Sequence, residues 1–315
     1  MLGLCACGTK EAPDEEVTSM EEARKDSMAL HVAVYPCEGA LPLYYAEAAG
    51  MLDSAGDIRL LHLKTMEDCD TAIQFKHAEV VMSDIARLLC MRKDGFRATA
   101  IAGLPGSLGI FTPKSTRINE VKQLKERIVA IDRHSETDYY SDKVLEGTKL
   151  DRLDIFRTQF NNHKLREEML TNKLVDGAFL DEPYATLALA HGAKRIWQRD
   201  EKAATWGVLA TPTTLLTDKR RMEQMQSLAE AYRLAVEAMN NGSNAALTGE
   251  ILKKHYELPN IEVDTLTSLQ SSITISNLRP IQDETVETAK KWLVGRQWIN
   301  ASLSTDSITH NIIKQ

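Results

Sequence analysis

Short apolar runs alternate along the chain with longer stretches in which apolar residues recur every three or four positions. The first pattern predicts buried strands and the second predicts helices laid over them. Leu30 to Tyr35 is rich in β-branched residues and ends at the turn cluster Pro36-Cys37-Glu38-Gly39, so it predicts a strand. Leu41 to Met51 puts Leu41, Tyr44, Tyr45 and Ala48 on one helical face and stops near Gly50. Strands follow at Ile58–Leu63, Val80–Met82 and Ala98–Leu104, with helices over Asp68–Phe75 and Asp84–Met91. The break Leu104-Pro105-Gly106-Ser107 leads into the extended piece Gly109–Thr112, which suits a crossing between lobes. The alternation then restarts, with a short helix at Val121–Lys125 and strands at Arg127–Ile131, Ile155–Phe160, Val175–Leu180 and Ala193–Trp197. Helices over Lys164–Leu170 and Tyr184–His191 separate them, and Trp206–Thr211 is a second extended piece that crosses back. Asp218–Met239 is a long amphipathic helix on Met222, Met225, Leu228, Ala229, Tyr232, Leu234 and Val236. Asn244–Tyr256, Val263–Leu269 and Asp283–Val294 are helical and predict packing against the first half. Strand–helix alternation of this kind defines an α/β protein with mainly parallel sheets covered on both faces.

One device occurs twice. Lys76 to Ala86 and Lys173 to Thr186 share a grammar: a Lys, an acidic residue three positions on, an apolar strand, then a polar pair that opens a helix. In the second copy Asp181-Glu182-Pro183 ends the strand, and Pro183 is expected in the first helical turn. A third polar corner, Asp132 to Thr137, has Ser135 as N-cap and Asp138 in the first turn. Strand-to-helix corners of two similar halves, set face to face, make a cleft where open α/β sheets bind ligands.

Composition narrows the classes. The 315 residues are 43% hydrophobic with a formal charge of −7, as in an ordinary globular chain, and without a basic, aromatic-rich stretch for nucleic acid. No run approaches the roughly 20 apolar residues of a membrane span. The five cysteines (Cys5, Cys7, Cys37, Cys69, Cys90) lack metal-ligand spacing, as do the histidines, so neither a metal nor a cofactor is expected; Cys69 and Cys90 read as small buried hydrophobes. Residues 1–29 read as a tether, apolar up to Gly8 and then polar, rich in Glu and Ser. Within it Leu4-Cys5-Ala6-Cys7 resembles a bacterial lipobox, which would make Cys7 a lipidation site and the protein anchored rather than spanning.

The run Leu41-Pro42-Leu43-Tyr44-Tyr45-Ala46-Glu47-Ala48-Ala49-Gly50-Met51, the stretch Asn119 to Arg133, the corner Phe179 to Thr186 and the run Lys290 to Val294 together carry a family likeness. In this order they resemble substrate-binding proteins of ABC importers, in the group of alkanesulfonate, taurine, nitrate and thiamine-pyrimidine-precursor binders, over roughly Leu30 to Ile299. The chain departs from that group at Lys76, Glu126 and Lys173, where a Gly is usual. The resemblance implies a type II periplasmic binding protein fold with two lobes, 30–110 plus 210–315 and 111–209, joined by a two-segment hinge. It also implies a periplasmic monomer that closes on a small molecule and delivers it to a membrane permease with its ATPase, without catalysis.

Strand ends and helix starts then nominate ligand contacts: Glu38, Gly39, Pro42 and Tyr44; Ser83 and Asp84; Arg133, His134, Ser135, Glu136 and Thr137; Asp181 and Glu182. Tyr44 is a candidate stacking platform for a planar ligand. Glu38, Asp84, Asp181 and Glu182 ring the cleft with negative charge, opposed only by Arg133 and His134. That balance favours a neutral or cationic ligand such as an aminopyrimidine over the sulfonate or nitrate that helix N-termini alone would favour. The alternative of another class is an enzyme like a fungal pyrimidine synthase of the same fold, with His134 and Glu136 as an acid/base pair. The Cys-rich iron-binding motif of that enzyme has no counterpart in this chain.

Overall fold

The computed structural model describes residues 26, 28–200, 202–242, 245–269 and 275–313. The expected lipidation site Cys7 and most of the tether lie outside the described residues.

Two five-stranded sheets form the frame, in the order β2-β1-β3-β10-β4 and β7-β6-β8-β5-β9. The first contains β1 (Leu30–Val34), β2 (Ile58–His62), β3 (Val80–Asp84), β4 (Ala98–Gly103) and β10 (Gly207–Pro212). The second contains β5 (Gly109–Thr112), β6 (Ile128–Ile131), β7 (Phe156–Gln159), β8 (Gly177–Leu180) and β9 (Lys194–Gln198). The two orders match position for position, so the chain is a structural repeat. Each sheet has one antiparallel strand, β10 in the first and β5 in the second, and each is the strand that has just crossed from the other sheet. The crossings occupy 104–108 and 199–206, so the boundaries expected at 110 and 209 cut through β5 and β10.

Helices cover the sheets as the periodicity predicts. Around the first lie α1 (Leu41–Ala48), α2 (Met51–Ser54), α3 (Met66–Gln74) and α4 (Ile85–Lys93); α5 (Glu136–Lys143), α6 (His163–Thr171) and α7 (Tyr184–Ala190) belong to the second. The chain ends in α8 (Lys219–Asn240), α9 (Ala245–His255), α10 (Asn260–Leu269) and α11 (Asp283–Gly295). Met225, Leu228, Tyr232 and Val236 are the buried stripe of α8, which packs on α1, but Leu234 is 40% exposed. Leu234 falls off the three-to-four spacing of that stripe and so points away from the sheet. Pro183 precedes α7 as its N-cap instead of sitting in the first turn.

The repeated Lys-to-acid grammar has a physical origin. Lys76 and Lys173 hold left-handed backbone (φ 60° and 59°) just past the ends of α3 and α6. At both places the next residue donates back five positions along the chain, His77 N–H to Ala72 O at 2.8 Å and Leu174 N–H to Met169 O at 2.8 Å. These are Schellman caps, where Gly is the usual residue because it lacks Cβ. The acidic residue three on caps the neighbouring strand: Glu79 accepts from His31 N–H at 2.8 Å, and Asp176 from Ile128 N–H at 3.0 Å. Glu126, the third position where a Gly is usual, is left-handed too (φ 58°).

Left-handed backbone costs a non-Gly residue about 1–2 kcal/mol, and glycine's extra chain entropy returns about 0.5–1 of that. K76G and K173G are each expected to raise the unfolding temperature by roughly 2 °C, and K76V to lower it. Thermal unfolding followed by circular dichroism checks this, and a fall in either Gly variant would refute it.

Candidate functional site

Between the carboxyl ends of the two sheets lies a cavity of about 80 Å³. That is room for a small solute, far below the roughly 300–1,000 Å³ of drug-sized sites. The first sheet contributes Tyr35, Cys37, Glu38, Gly39, Met66, Asp84 and Gly207. The second contributes Asp132, Ser135, Glu136, Thr137, His163, Arg166, Phe179 and Asp181, and the crossings supply Leu104 to Leu108 and Thr205.

Acidic groups outnumber basic ones in the lining, and the chain itself supplies donors to most of them. Asp84 ends β3 and caps two helices from opposite sheets: it accepts from Ala86 N–H at 2.8 Å and from Glu136 N–H at 2.9 Å. Glu38 accepts from both the N–H (2.7 Å) and the hydroxyl (2.6 Å) of Ser107 on the first crossing. Asp181 pairs with His163 Nδ1 at 2.7 Å and accepts from Glu38 N–H at 3.3 Å. Arg199 holds Glu136 and the Gly106 carbonyl, and Arg87 holds Asp70, the Arg133 carbonyl (3.0 Å) and Asp132 Oδ1 (3.4 Å). Several of these bonds run from one sheet to the other, so they bridge the cleft.

Two groups of the cavity lining keep unmatched capacity. Arg166, only 1% exposed, has Nε and Nη1 without a hydrogen-bond partner among the described residues, and so does Asp132 Oδ2. Buried polar atoms are nearly always paired, so an orphaned guanidinium and an orphaned carboxylate oxygen on one cavity are a binding signature.

Burial pushes the Glu38, Asp84 and Asp132 carboxyls above the usual carboxylate range, and Glu136 adds to the effect at Asp84. At Asp181 burial also acts upward, but the charge and hydrogen bond of His163 outweigh it and leave the group lowered. Burial raises the Cys37 thiol strongly, which removes it as a thiolate nucleophile.

Seven of the nominated residues line the cavity: Glu38, Gly39, Asp84, Ser135, Glu136, Thr137 and Asp181. The other six lie outside the lining. Pro42 is buried in the first turn of α1, and Tyr44 stacks on His255 at 4.3 Å instead of presenting a face to the cleft. Ser83 donates to Asp70 at 2.6 Å, and Glu182 caps α7 through Thr186 N–H at 3.1 Å. Arg133 offers its backbone carbonyl to Arg87. His134 packs edge-on against Trp298 at 4.4 Å, away from the Arg199-bound Glu136, so the two form no acid/base pair. The opposing positive charge therefore comes from Arg87, Arg166 and Arg199 and not from Arg133 and His134. Asp132 stood within a predicted corner; Arg166 looks like any solvated helix position in Lys164 to Glu168, and no spacing marks it.

No protein-family model and no curated protein sequence matches the chain. Solved structures do. The alkanesulfonate-binding protein SsuA from Xanthomonas axonopodis pv. citri, bound to MOPS, superposes with TM-score 0.73 at 14% identity, covering 90% of this chain and 98% of that one. The periplasmic nitrate-binding protein NrtA from Synechocystis PCC 6803 gives TM-score 0.69 at 11% identity over 89% and 84%. The Candida albicans CA3427 gene product, described as having the generic periplasmic binding protein fold, gives 0.59 at 14% over 89% and 93%. The chain has the periplasmic binding protein fold, an α/β architecture of two mixed sheets flanked by helices.

Asp181 supplies a pH test. Its contribution to stability is complete above the ordinary carboxyl pKa of about 3.9 and is lost as pH falls through its lower folded value. D181N is expected to cost about 2 kcal/mol at pH 7, and its gap to wild type should close as pH drops below about 4. Unfolding temperatures of both proteins from pH 7 to pH 3 check this; a gap constant over the range would contradict it.

Proposed function

We propose that this chain is the solute-binding component of an ABC importer, which traps a small polar molecule between its two sheets and presents it to a membrane permease with its ATPase. The observation that carries this is the pairing of Arg166 and Asp132 Oδ2, both buried, both unmatched, on one interlobe cavity. A ligand that satisfies both has an anionic group for the guanidinium and an amino or N–H donor for the carboxylate. A small zwitterion, an aminosulfonate or an amino acid, has that chemistry and suits the cavity size. The alkanesulfonate and nitrate binders that share the fold lend weight to the anionic half.

The lobes joined through 104–108 and 199–206 act as the hinged bodies of this trap, because a molecule touching both adds contacts that only the closed arrangement offers. Lipidation at Cys7 anchors the protein to the cell envelope, and it works as a periplasmic monomer. On this reading it carries its ligand without turning it over; in support, burial keeps the cavity's Cys37 thiol protonated and so unavailable as a thiolate nucleophile. A second reading, an aminopyrimidine or thiamine precursor, rests on the carboxylates Glu38, Asp84, Asp132 and Asp181 in the lining. It lacks the ring platform expected of Tyr44.

A thermal-shift and calorimetry panel of taurine, short alkanesulfonates, amino acids, nitrate, aminopyrimidines and thiamine tests these readings. A ligand at about 100 times its Kd adds about 2.7 kcal/mol and shifts unfolding by several degrees. R166M is expected to weaken the true ligand by about 10- to 100-fold. D132N should weaken amino-bearing ligands and leave simple anions unchanged. A hit confined to pyrimidines and indifferent to R166M would replace the zwitterion by the second reading, and turnover of any hit would overturn the transport role.

A further inference from the structure

Outside the cleft, α1, β2 and α9 bring Glu47, His62 and His255 together. We propose that these three side chains bind a divalent transition metal of the zinc class. One donor atom from each lies within 4.8 Å of the other two. His62 Nδ1 is 2.9 Å from His255 Nδ1, and His62 Nε2 is 3.0 Å from a Glu47 carboxylate oxygen. Two imidazoles and one carboxylate are a donor set zinc uses where it keeps an open position.

The two facing ring nitrogens can share one proton between them, so one lone pair is always masked. A metal ion takes both lone pairs once the shared proton has moved, through solvent, to an outer ring nitrogen, so that each imidazole binds as the neutral ligand. Tetrahedral zinc with bonds of about 2.0–2.2 Å spaces its donors by about 3.3 Å, so Glu47, which meets His62 at Nε2, has to swing to the Nδ1 edge where the two imidazoles already face each other. The site is reachable from solvent, since the side chains of His62 and Glu47 are both 33% exposed, and water completes the fourth position. Two further features favour a cation. His255 is the last residue of α9 and Glu47 lies in the last turn of α1, so the negative ends of two helix dipoles converge on the cluster. Tyr44 stacks on His255 with planes 11° apart and fixes the ring.

Lys254, exposed, borders the cluster and opposes a cation. It gives the test a variant that changes charge without touching a ligand. Calorimetric titration of the metal-free full chain with zinc alone is expected to show one equivalent bound with Kd of about 10 μM or tighter. H62A, H255A and E47Q should each weaken that equivalent by about 10- to 100-fold or more, and K254E should tighten it several-fold. Unfolding temperatures in chelator establish that the variants are folded. Zinc binding unchanged in H62A and H255A would assign the ion to other residues and overturn the proposal, as would the absence of stoichiometric binding by wild type at about 100 μM zinc.

Discussion

Each sheet in this molecule is completed by a strand that arrives from the other. β10 lies between β3 and β4, and β5 lies between β8 and β9, both antiparallel to their neighbours. A strand in that position must hydrogen-bond on both edges, so the first sheet is complete only once the chain has crossed to the second and returned. The crossings are short, and they are tied to each other: Leu104 N–H donates to Gly207 O at 2.8 Å, and Arg199 N–H to Leu108 O at 2.9 Å. Two sheets tethered this closely must face one another across a gap. The ends of β1, β3, β6 and β8 open into that gap, which is why every polar corner of the chain meets there.

The electrostatics of the gap follow from the same closeness. Buried carboxylates without donors would cost several kcal/mol each, so the fold supplies donors from both sides. Asp84 takes one N–H from each sheet, Asp181 takes His163 and the Glu38 N–H, and Glu136 takes Arg199. The acidic character visible in the sequence is thus largely answered within the chain. What remains for a solute is the difference left over, and it sits on Arg166 and Asp132.

Local rules carried the fold far. Apolar runs placed the strands, because strands buried on both faces must be apolar throughout. Capping chemistry placed two of the corners: Asp84 and Ser135 accept from the backbone N–H groups expected of N-caps. The repeat was legible because Schellman caps and strand-capping acids recur at fixed offsets around Lys76 and Lys173. Side-chain direction was not legible. Tyr44 and Leu234 show why, since a one-dimensional pattern gives the helix but not which partner a large side chain meets. Arg166 and Arg199 escaped notice because an Arg on a helix or loop is ordinarily solvated, and only tertiary packing buries it.

The repeat also locates the asymmetry on which selectivity rests. The scaffold presents the same kinds of corner twice, yet the helix after β2 shows Met66 to the cavity where the helix after β7 shows His163 and Arg166. The corner after β1 offers Glu38, which the Ser107 N–H and hydroxyl answer, and the matching corner after β6 offers Asp132 with one oxygen unmatched. On the proposed reading, the second sheet therefore recognises the solute and the first closes over it. The bond from the N-terminus of α5 to Asp84 joins the two lobes without a ligand atom. A lid held by the chain's own carboxylate lets ligand chemistry change in the second lobe while the closing contact stays fixed. Divergent ligands on one scaffold require that division of labour.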